Sequence, residues 1–186
     1  DYRVLNLASN TFNENNTSYW HKSIGGYHPA KLGRYNELIN RHIDPEMQAA
    51  QYAIYQAKGD MDSVNCALFP VLNMLNTRYF ILPIDRQGGT APLRNPYACG
   101  NAWFVEQVRY VANANEELDA LSDFDPLSTA VADQRFKQSL QEATLLHTSP
   151  QARITLKSYA PNHLVYEAIN PHDGVALFSE IYYPHG

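Results

Sequence analysis

Helix-type and strand-type hydrophobic patterns occupy different parts of this chain, and this separation constrains its fold more than any other feature. Apolar residues recur at helical spacing over much of residues 29–76, whereas the chain closes on three strand-like runs between residues 154 and 183. Helices gathered in one part of a chain and strands in another are typical of α+β folds rather than doubly wound sheets. We therefore predict an α+β fold, in which an N-terminal strand and helices precede a mainly antiparallel sheet with a C-terminal β-meander.

The N-terminal region is predicted to hold one strand, at about residues 3–7, and three helical stretches. Pro29 suits the first position of the first helix, because the amide hydrogen that proline lacks is not needed there. A second helix is predicted over residues 44–59, where an Asp-Pro pair begins it and a glycine ends it. The third stretch covers about residues 62–76, and its Pro70 predicts a break or kink.

The middle of the chain is predicted to consist of shorter elements. A strand at residues 79–82 precedes a glycine- and proline-rich loop at residues 87–96. A long strand is predicted over residues 102–111. Three short helices are then expected: one opened by a capping box of Asn113 with Glu116 and ending near Leu121, one starting at Asp125-Pro126, and one over residues 133–140.

The composition is that of an ordinary folded domain and argues against some classes of partner. With 186 residues, of which 45% are hydrophobic, the chain can bury a sizeable core, and we expect one α+β domain over residues 1–186. The net charge is −5 and the 14 basic residues are scattered, which argues against nucleic acid as a partner. No run approaches the roughly 20 apolar residues of a membrane helix. Because the sequence starts at Asp1 without an initiator Met or a signal peptide, we expect a piece cut from a longer protein.

Aromatic and basic residues cluster around two adjacent glycines, Gly25 and Gly26, just before the first predicted helix. Backbone amides and cationic side chains at such a place can hold a phosphate or a carboxylate, and aromatic rings with polar tips suit contacts with sugars or proteins. The other members of this candidate ligand-binding cluster are Tyr19, Trp20, His21, Lys22, Tyr27, His28 and Arg34. The alternative is a tight turn that needs glycine, with solvated basic residues and with rings packed in the core.

No catalytic or metal-binding signature accompanies this cluster. The histidines lack metal-ligand spacing, and Cys66 and Cys99 form no CxxC pair, so we predict no metal and no cofactor. A GxSxG nucleophile motif does not occur, and no catalytic residue is predicted. The sequence does not identify the nucleophile, base and orienting group that an independent hydrolase would need. Both a disulfide and two free thiols remain open for the cysteines.

Several segments, spread over nearly the whole chain, resemble the extracytoplasmic region of YfhO-like bacterial membrane proteins, in the form found in Bacteroidetes. None of these segments is a catalytic signature. The segments that carry the resemblance are RVLNL at 3–7, NTFN at 10–13, TSY at 17–19, HKSIGGYH at 21–28, KL at 31–32 with RY at 34–35, LNMLNTRYFI at 72–81, GNAWFV at 100–105 and FSEIYYP at 178–184.

The resemblance implies a polytopic parent protein similar to GT-C glycosyltransferases, which use lipid-linked sugars. In that class the catalytic acid usually lies in an early extracytoplasmic loop, which this sequence does not include, so no catalytic residue is carried over. The family chain normally continues after residue 184 into a β-rich segment and a further membrane helix. The implied place of this domain is the extracytoplasmic (periplasmic) face of the bacterial cytoplasmic membrane.

Two functions from different classes follow from the cluster and the resemblance. The first is an accessory domain that binds or positions a cell-envelope glycan or a lipid-linked sugar for the membrane-embedded part of the same parent chain. The alternative is a structural or interaction module that braces the membrane part or a partner protein and binds no small ligand. An exposed apolar patch without a pocket would favour the second function, and a concave site with Trp20 would favour the first.

Overall fold

The structure, a computed structural model, describes residues 1–29 and 31–182. It contains both helices and strands, with antiparallel strand pairs and a strand-rich C-terminal region, which confirms the predicted α+β class. The chain divides into two compact units, one from Tyr2 to Ala98 and one from Cys99 onward. The prediction of one domain over residues 1–186 therefore remains a prediction, and each unit is described by itself.

The first unit contains most of the helical residues. Between α2 and α3 the helix continues as a π-helix at Ile39–Ile43, and two 3-10 turns, Met61–Ser63 and Cys66–Leu68, precede α4. The strands and α-helices of this unit are β1 (Arg3–Asn6), α1 (Asn16–Trp20), α2 (Gly33–Leu38), α3 (Asp44–Gln56), α4 (Pro70–Met74), β2 (Thr77–Pro83) and β3 (Thr90–Arg94).

The three strands of this unit form one sheet in the order β1-β2-β3. Strand β1 runs parallel to β2, with Leu5 opposite Phe80, and β3 runs antiparallel to β2. Phe80 and Phe69, which immediately precedes α4, are fully buried, and their rings meet edge to face at 5.9 Å. The core of this unit therefore lies between the sheet and its helices, where apolar area is removed from water.

The helices of the first unit differ from the prediction at two places. Helix α2 begins at Gly33, not at Pro29, and it continues through the π-helix into α3 without a break. Helix α3 begins at Asp44, as predicted, but Asp44 does not cap a separate helix, because Ile43 keeps a right-handed helical backbone and no side chain caps α3. Pro45 follows directly on the π-helix, which ends in a hydrogen bond from the Asp44 amide to the Ile39 carbonyl oxygen, so the missing proline amide falls where the π-helix gives way to α3.

The third predicted helix, at residues 62–76, is three short pieces instead of one kinked helix. The Asp60 and Asn65 side chains each accept an amide hydrogen two residues later, which closes separate 3-10 turns. Pro70 is the first residue of α4, so the predicted break at this proline is confirmed. Strand β3 lies in the segment predicted as a loop, and its Pro92 is consistent with the edge position of this strand.

The second unit is built mainly from paired strands. Strands β5 and β6 are parallel and are joined through α5, while β7 pairs with β8 and β4 pairs with β9 in antiparallel fashion. The bounds of these elements are β4 (Ala102–Val105), β5 (Gln107–Val111), α5 (Ala114–Ala120), β6 (Thr129–Asp133), β7 (Arg153–Ala160), β8 (His163–Ile169) and β9 (Val175–Phe178).

The C-terminal strands confirm the predicted β7–β8 hairpin and change the partner of the last strand. Strands β7 and β8 pair around a tight turn at Asn162, which has a φ of 59°. In the described residues β9 pairs with β4, so it returns to the start of the unit instead of extending the hairpin. This strand was predicted to run to Tyr183, which itself lies outside the described residues, but β9 ends at Phe178.

The long strand predicted over residues 102–111 is two strands. The chain turns at Glu106, whose amide and that of Gln107 both donate to the Ser128 carbonyl oxygen. Strand β4 therefore pairs with β9, and β5 pairs with β6. The strand-like run at residues 102–111 is continuous in the sequence, so it did not predict that its two halves pair with different strands.

The three short helices predicted for this unit have different outcomes. Helix α5 is confirmed, and the Asn113 side chain accepts amide hydrogens from Asn115 and Glu116. The segment at Asp125 makes a single turn, because β6 begins at Thr129. From Asp133 only a 3-10 turn forms, Gln134–Phe136. None of the helices in the part of the chain that the structure describes is long and apolar enough to cross a membrane.

Candidate functional site

The predicted cluster begins on α1, a one-turn helix that the sequence pattern did not predict. Its cap residue, Asn15, makes no side-chain cap hydrogen bond, and the Glu14 carboxylate instead accepts from the Thr17 amide at 3.0 Å. The Thr17 hydroxyl accepts a hydrogen bond from the Asn6 side chain at 2.8 Å, which ties α1 to the end of β1. Burial alone would raise the pKa of Glu14, but hydrogen bonds from Thr17 and Asn16 outweigh it and lower the pKa.

The two glycines form a turn that closes against the loop at Thr11. The Gly26 amide donates to the Thr11 carbonyl oxygen at 2.8 Å, and a Cβ atom on Gly25 would lie 2.0 Å from the same oxygen. Gly26 has a φ of 126°, which an L-residue with a side chain rarely adopts. The Gly25 amide donates to the Ser23 hydroxyl at 3.0 Å. Both glycine amides thus donate within the chain, and we assign the glycines the role of shaping the turn.

The segment before these glycines is fixed on two sides. On one side, Val4 of β1 donates to the Lys22 carbonyl oxygen at 2.9 Å and accepts from the Ile24 amide at 3.0 Å. On the other side, the Tyr35 hydroxyl of α2 donates to the Ile24 carbonyl oxygen at 2.7 Å. Burial raises the pKa of Tyr35 to about 12, although the Arg3 charge opposes this, so the phenol remains a donor near neutral pH.

The two aromatic rings at the end of α1 are exposed. Tyr19 and Trp20 retain 78% and 71% of their accessible surface, and their ring centroids are 4.8 Å apart. The ring planes are nearly perpendicular, at 85°, which is the edge-to-face arrangement that aromatic quadrupoles favour. Of the two interpretations of these rings, packing in the core is therefore excluded for Tyr19 and Trp20.

The other residues of the cluster are distributed along the same segment. His21, Tyr27, His28 and Arg34 are exposed, and Lys22 is half-buried. The Tyr27 amide donates to the Glu14 carbonyl oxygen and to the Asn15 side chain, both at 3.0 Å. Tyr27 is thereby held at the start of α1, whereas Tyr19 and Trp20 lie at its end. Arg34 lies on α2, beyond the turn.

One buried carboxylate, that of Glu46 on α3, was not predicted from the sequence. Its Oε1 accepts from the Val71 amide at 3.0 Å and its Oε2 accepts from the Leu72 amide at 2.8 Å. Burial raises the pKa of Glu46 to about 7, although these two hydrogen bonds oppose the shift. The available signal was its position four residues before Ala50, on the apolar stripe of the helix.

Metal ligands and cysteines were considered over the whole sequence. Within residues 1–29 and 31–182, no three His, Cys, Asp or Glu side chains form a group that could hold a metal ion. Cys66 is exposed and carries a free thiol. Comparisons of the chain with protein-family models, curated proteins and solved structures find no match.

Proposed function

We propose that this chain is an accessory domain on the extracytoplasmic face of a bacterial cytoplasmic membrane, where it binds and helps to position a cell-envelope glycan or a lipid-linked sugar. The observation that carries the proposal is the exposed Tyr19–Trp20 pair. The resemblance to YfhO-like proteins supplies the membrane context. In this proposal the membrane-embedded part of the same parent chain is the partner and performs any glycosyl transfer.

The shape of the Tyr19–Trp20 pair suits a sugar ring. Two planes at 85° form a corner, and a pyranose can place its apolar C–H face on one ring and its rim against the other. The phenol hydroxyl and the indole N–H sit at the ring edges, where they can hydrogen bond to sugar hydroxyls. Because α1 is tied to β1 through Thr17, this corner is held by the folded unit rather than by a free loop.

The basic residues of the cluster would add a charge contact. A lipid-linked sugar carries phosphate, and many envelope glycans carry acidic groups, so Lys22, His28 and Arg34 would meet an anionic part of the ligand. A solvent-exposed ion pair between such a basic side chain and an acidic group contributes about 0.2–1 kcal/mol, and salt weakens it. The rings therefore supply most of the affinity in this proposal, and the basic residues supply selectivity for acidic glycans.

The proposal is tested by NMR titration of the 15N-labelled chain with envelope oligosaccharides. We expect saturable shifts of the residue 19–22 amides and of the Trp20 indole N–H, and a loss of affinity of at least tenfold in Trp20→Ala. The matched control is Tyr52→Ala, which removes a ring that is 67% exposed on α3, and should leave binding unchanged. A flat response at millimolar glycan, or equal affinity of the Trp20→Ala variant, would contradict the proposal.

An interaction module that binds no small ligand is the second candidate. It is favoured by Tyr52 and Tyr55, which are three residues apart on α3 and are 67% and 79% exposed. Such rings are common in protein interfaces. This function predicts no response to any glycan and saturable binding to the membrane-embedded part of the parent chain. Tyr52→Ser combined with Tyr55→Ser should weaken that binding, whereas Trp20→Ala should not.

A further inference from the structure

A groove of about 620 Å³ lies in the first unit, between the C-terminal end of α3 and the β2–β3 strand pair. Cavities of roughly 300–1,000 Å³ that are lined mainly by apolar side chains are the usual size and character of small-molecule sites. The wall on the sheet side is entirely apolar and consists of Leu82 and Pro83 of β2, Ile84 directly after it, and Ala91, Pro92 and Leu93 of β3.

The helix wall of the groove is different in character. Ile54 is buried and continues the apolar surface, while Gln51, Tyr55 and Gln56 are exposed and bring polar groups to the rim. Among the described residues that line the groove, only Lys58 carries a formal charge at neutral pH. The groove therefore pairs a long apolar wall with a single cation at one side.

The position of Lys58 follows from how α3 ends. The Gly59 amide donates to the Ile54 carbonyl oxygen at 3.0 Å, which closes the end of the helix. Lys58 and Gly59 have φ values of 52° and 82°. A left-handed backbone is unusual for lysine, and here it occurs at a residue that lines the groove.

The neighbouring strand edge argues against an extended peptide as the occupant. Strand β3 lies at the end of the β1-β2-β3 order, where an added strand would pair. Its central residue, Pro92, lacks an amide hydrogen and interrupts the row of donors that a peptide strand needs. An apolar molecule with one anionic group matches the groove better, because its chain meets the sheet wall and its charge meets Lys58.

We propose that this groove binds a medium-chain fatty acid, with the aliphatic chain between Ile54 and the sheet residues Leu82 and Leu93 and the carboxylate at Lys58 Nζ. Burial of the chain supplies most of the affinity, since transfer of apolar surface from water is favourable. The carboxylate contact sets the orientation, and it is modest because an exposed ion pair contributes little. This site is separate from the Tyr19–Trp20 pair and does not depend on the glycan-binding proposal.

The charge contact is tested by calorimetry on the 186-residue chain with decanoate and with decanol, both below their aggregation concentrations. We expect decanoate to bind saturably and decanol to bind about two- to fivefold more weakly. Lys58→Met should weaken decanoate by the same factor and leave decanol unchanged. Equal losses for both ligands, or no loss for decanoate, would overturn the assignment of the carboxylate to Lys58.

The apolar contact is tested by filling the groove. Ala91→Phe places a ring from β3 into the groove, and phenylalanine is well accommodated in strands. We expect this variant to bind both decanoate and decanol at least tenfold more weakly. The matched control is Thr90→Phe at the adjacent residue, which does not line the groove. Trp20→Ala should bind decanoate normally. Absent decanoate binding by the unmodified chain, or full binding by Ala91→Phe, would overturn the proposal without bearing on the glycan site.

Discussion

At Gly25 the backbone of the candidate site passes so close to Thr11 that no side chain fits. A Cβ atom there would lie 2.0 Å from a backbone oxygen and 2.5 Å from the Thr11 methyl group. At Gly26 the constraint is the dihedral angle, because its φ is 126°. The adjacent glycines are therefore required for two different physical reasons, and both reasons concern the loop that positions α1.

Gly25→Ala is expected to destabilise the protein by about 3 kcal/mol, the upper end of the range for overpacking, because a backbone oxygen cannot move aside as a side chain can. Chemical denaturation followed by circular dichroism measures the change in the free energy of unfolding. The matched control is Gly33→Ala at the start of α2, where no atom lies within 4 Å of the new Cβ. This control should be neutral or more stable by up to about 1 kcal/mol. Equal stability of the two variants would contradict the close approach at Gly25.

The sequence indicated a turn at the two glycines, but it did not predict whether the neighbouring aromatic rings are buried or exposed. Two adjacent glycines followed by a predicted helix left both an anion site and a tight turn open. In the structure both glycine amides donate within the chain, to Ser23 and Thr11, which favours the turn as the role of the glycines. The exposure of Tyr19 and Trp20 depends on where α1 lies against β1, and local spacing carries no information about that.

At the scale of elements, α4 is capped by a side chain from another helix. The first amides of a helix lack partners inside it, and the residue before α4, Phe69, has no side chain that can accept from them. Glu46 of α3 supplies both oxygens to the Val71 and Leu72 amides. In α4 a tertiary contact therefore satisfies the first amides, whereas in α5 a local cap does so, because the Asn113 side chain accepts two amide hydrogens.

The buried carboxylate of Glu46 predicts a pH-dependent stability with a definite sign. Burial raises its pKa from 4.5 in the unfolded chain to about 7 in the folded protein, so the fold favours the protonated form. The stabilising contribution is complete below pH 4.5 and is lost as the pH rises through 7. We expect a loss of about 3 kcal/mol between those limits, measured as the free energy of unfolding of the unmodified chain minus that of Glu46→Gln.

Glu46→Gln is the reference because it removes the titration while it keeps an acceptor for one amide. Subtracting its pH profile removes the contributions of the other titratable groups, which the two chains share. Glu46→Ala leaves both amides without this acceptor and should be less stable than Glu46→Gln at every pH. Parallel pH profiles for the unmodified chain and Glu46→Gln would show that the Glu46 pKa is not raised by folding.

Element prediction succeeded where the signal was local and failed where pairing decided the outcome. Asn113 and Pro70 mark helix starts that the structure confirms, because capping and the missing proline amide act within a few residues. Strand β3 was predicted as a loop, since Pro92 and adjacent glycines suggest a turn when no partner strand is known. Similarly, the single run at residues 102–111 divides only because its two halves pair with β9 and β6.

At the scale of the whole molecule, the buried side chains are unevenly distributed between the two compact units. Of the largest fully buried residues, all but Val105 lie in the unit from Tyr2 to Ala98. They include Phe69 and Phe80, whose rings are in contact, and Leu5, which lies opposite Phe80 on the neighbouring strand. The first unit therefore contains a complete core of its own, which is the main requirement for independent folding.

Residues 2–98 are expected to fold when expressed alone, because the side chains that bury most of their surface come from within this segment. Circular dichroism should show helix content, and thermal unfolding should be cooperative. Leu72→Ala in the same fragment, at a fully buried site, should lower the free energy of unfolding by roughly 2–5 kcal/mol. A disordered fragment 2–98 would instead favour the prediction of one domain over residues 1–186.

The sequence by itself determined the α+β class, the capped helix α5, the break at Pro70 and the β7–β8 hairpin. These features depend on hydrophobic period, on capping side chains and on turn residues, all of which act over a few positions. Only the tertiary structure decided that β9 pairs with β4, that Glu46 caps α4, that Tyr19 and Trp20 remain exposed, and that a groove forms beside Lys58. Each of these depends on which distant segments meet, and a one-dimensional pattern does not encode that choice.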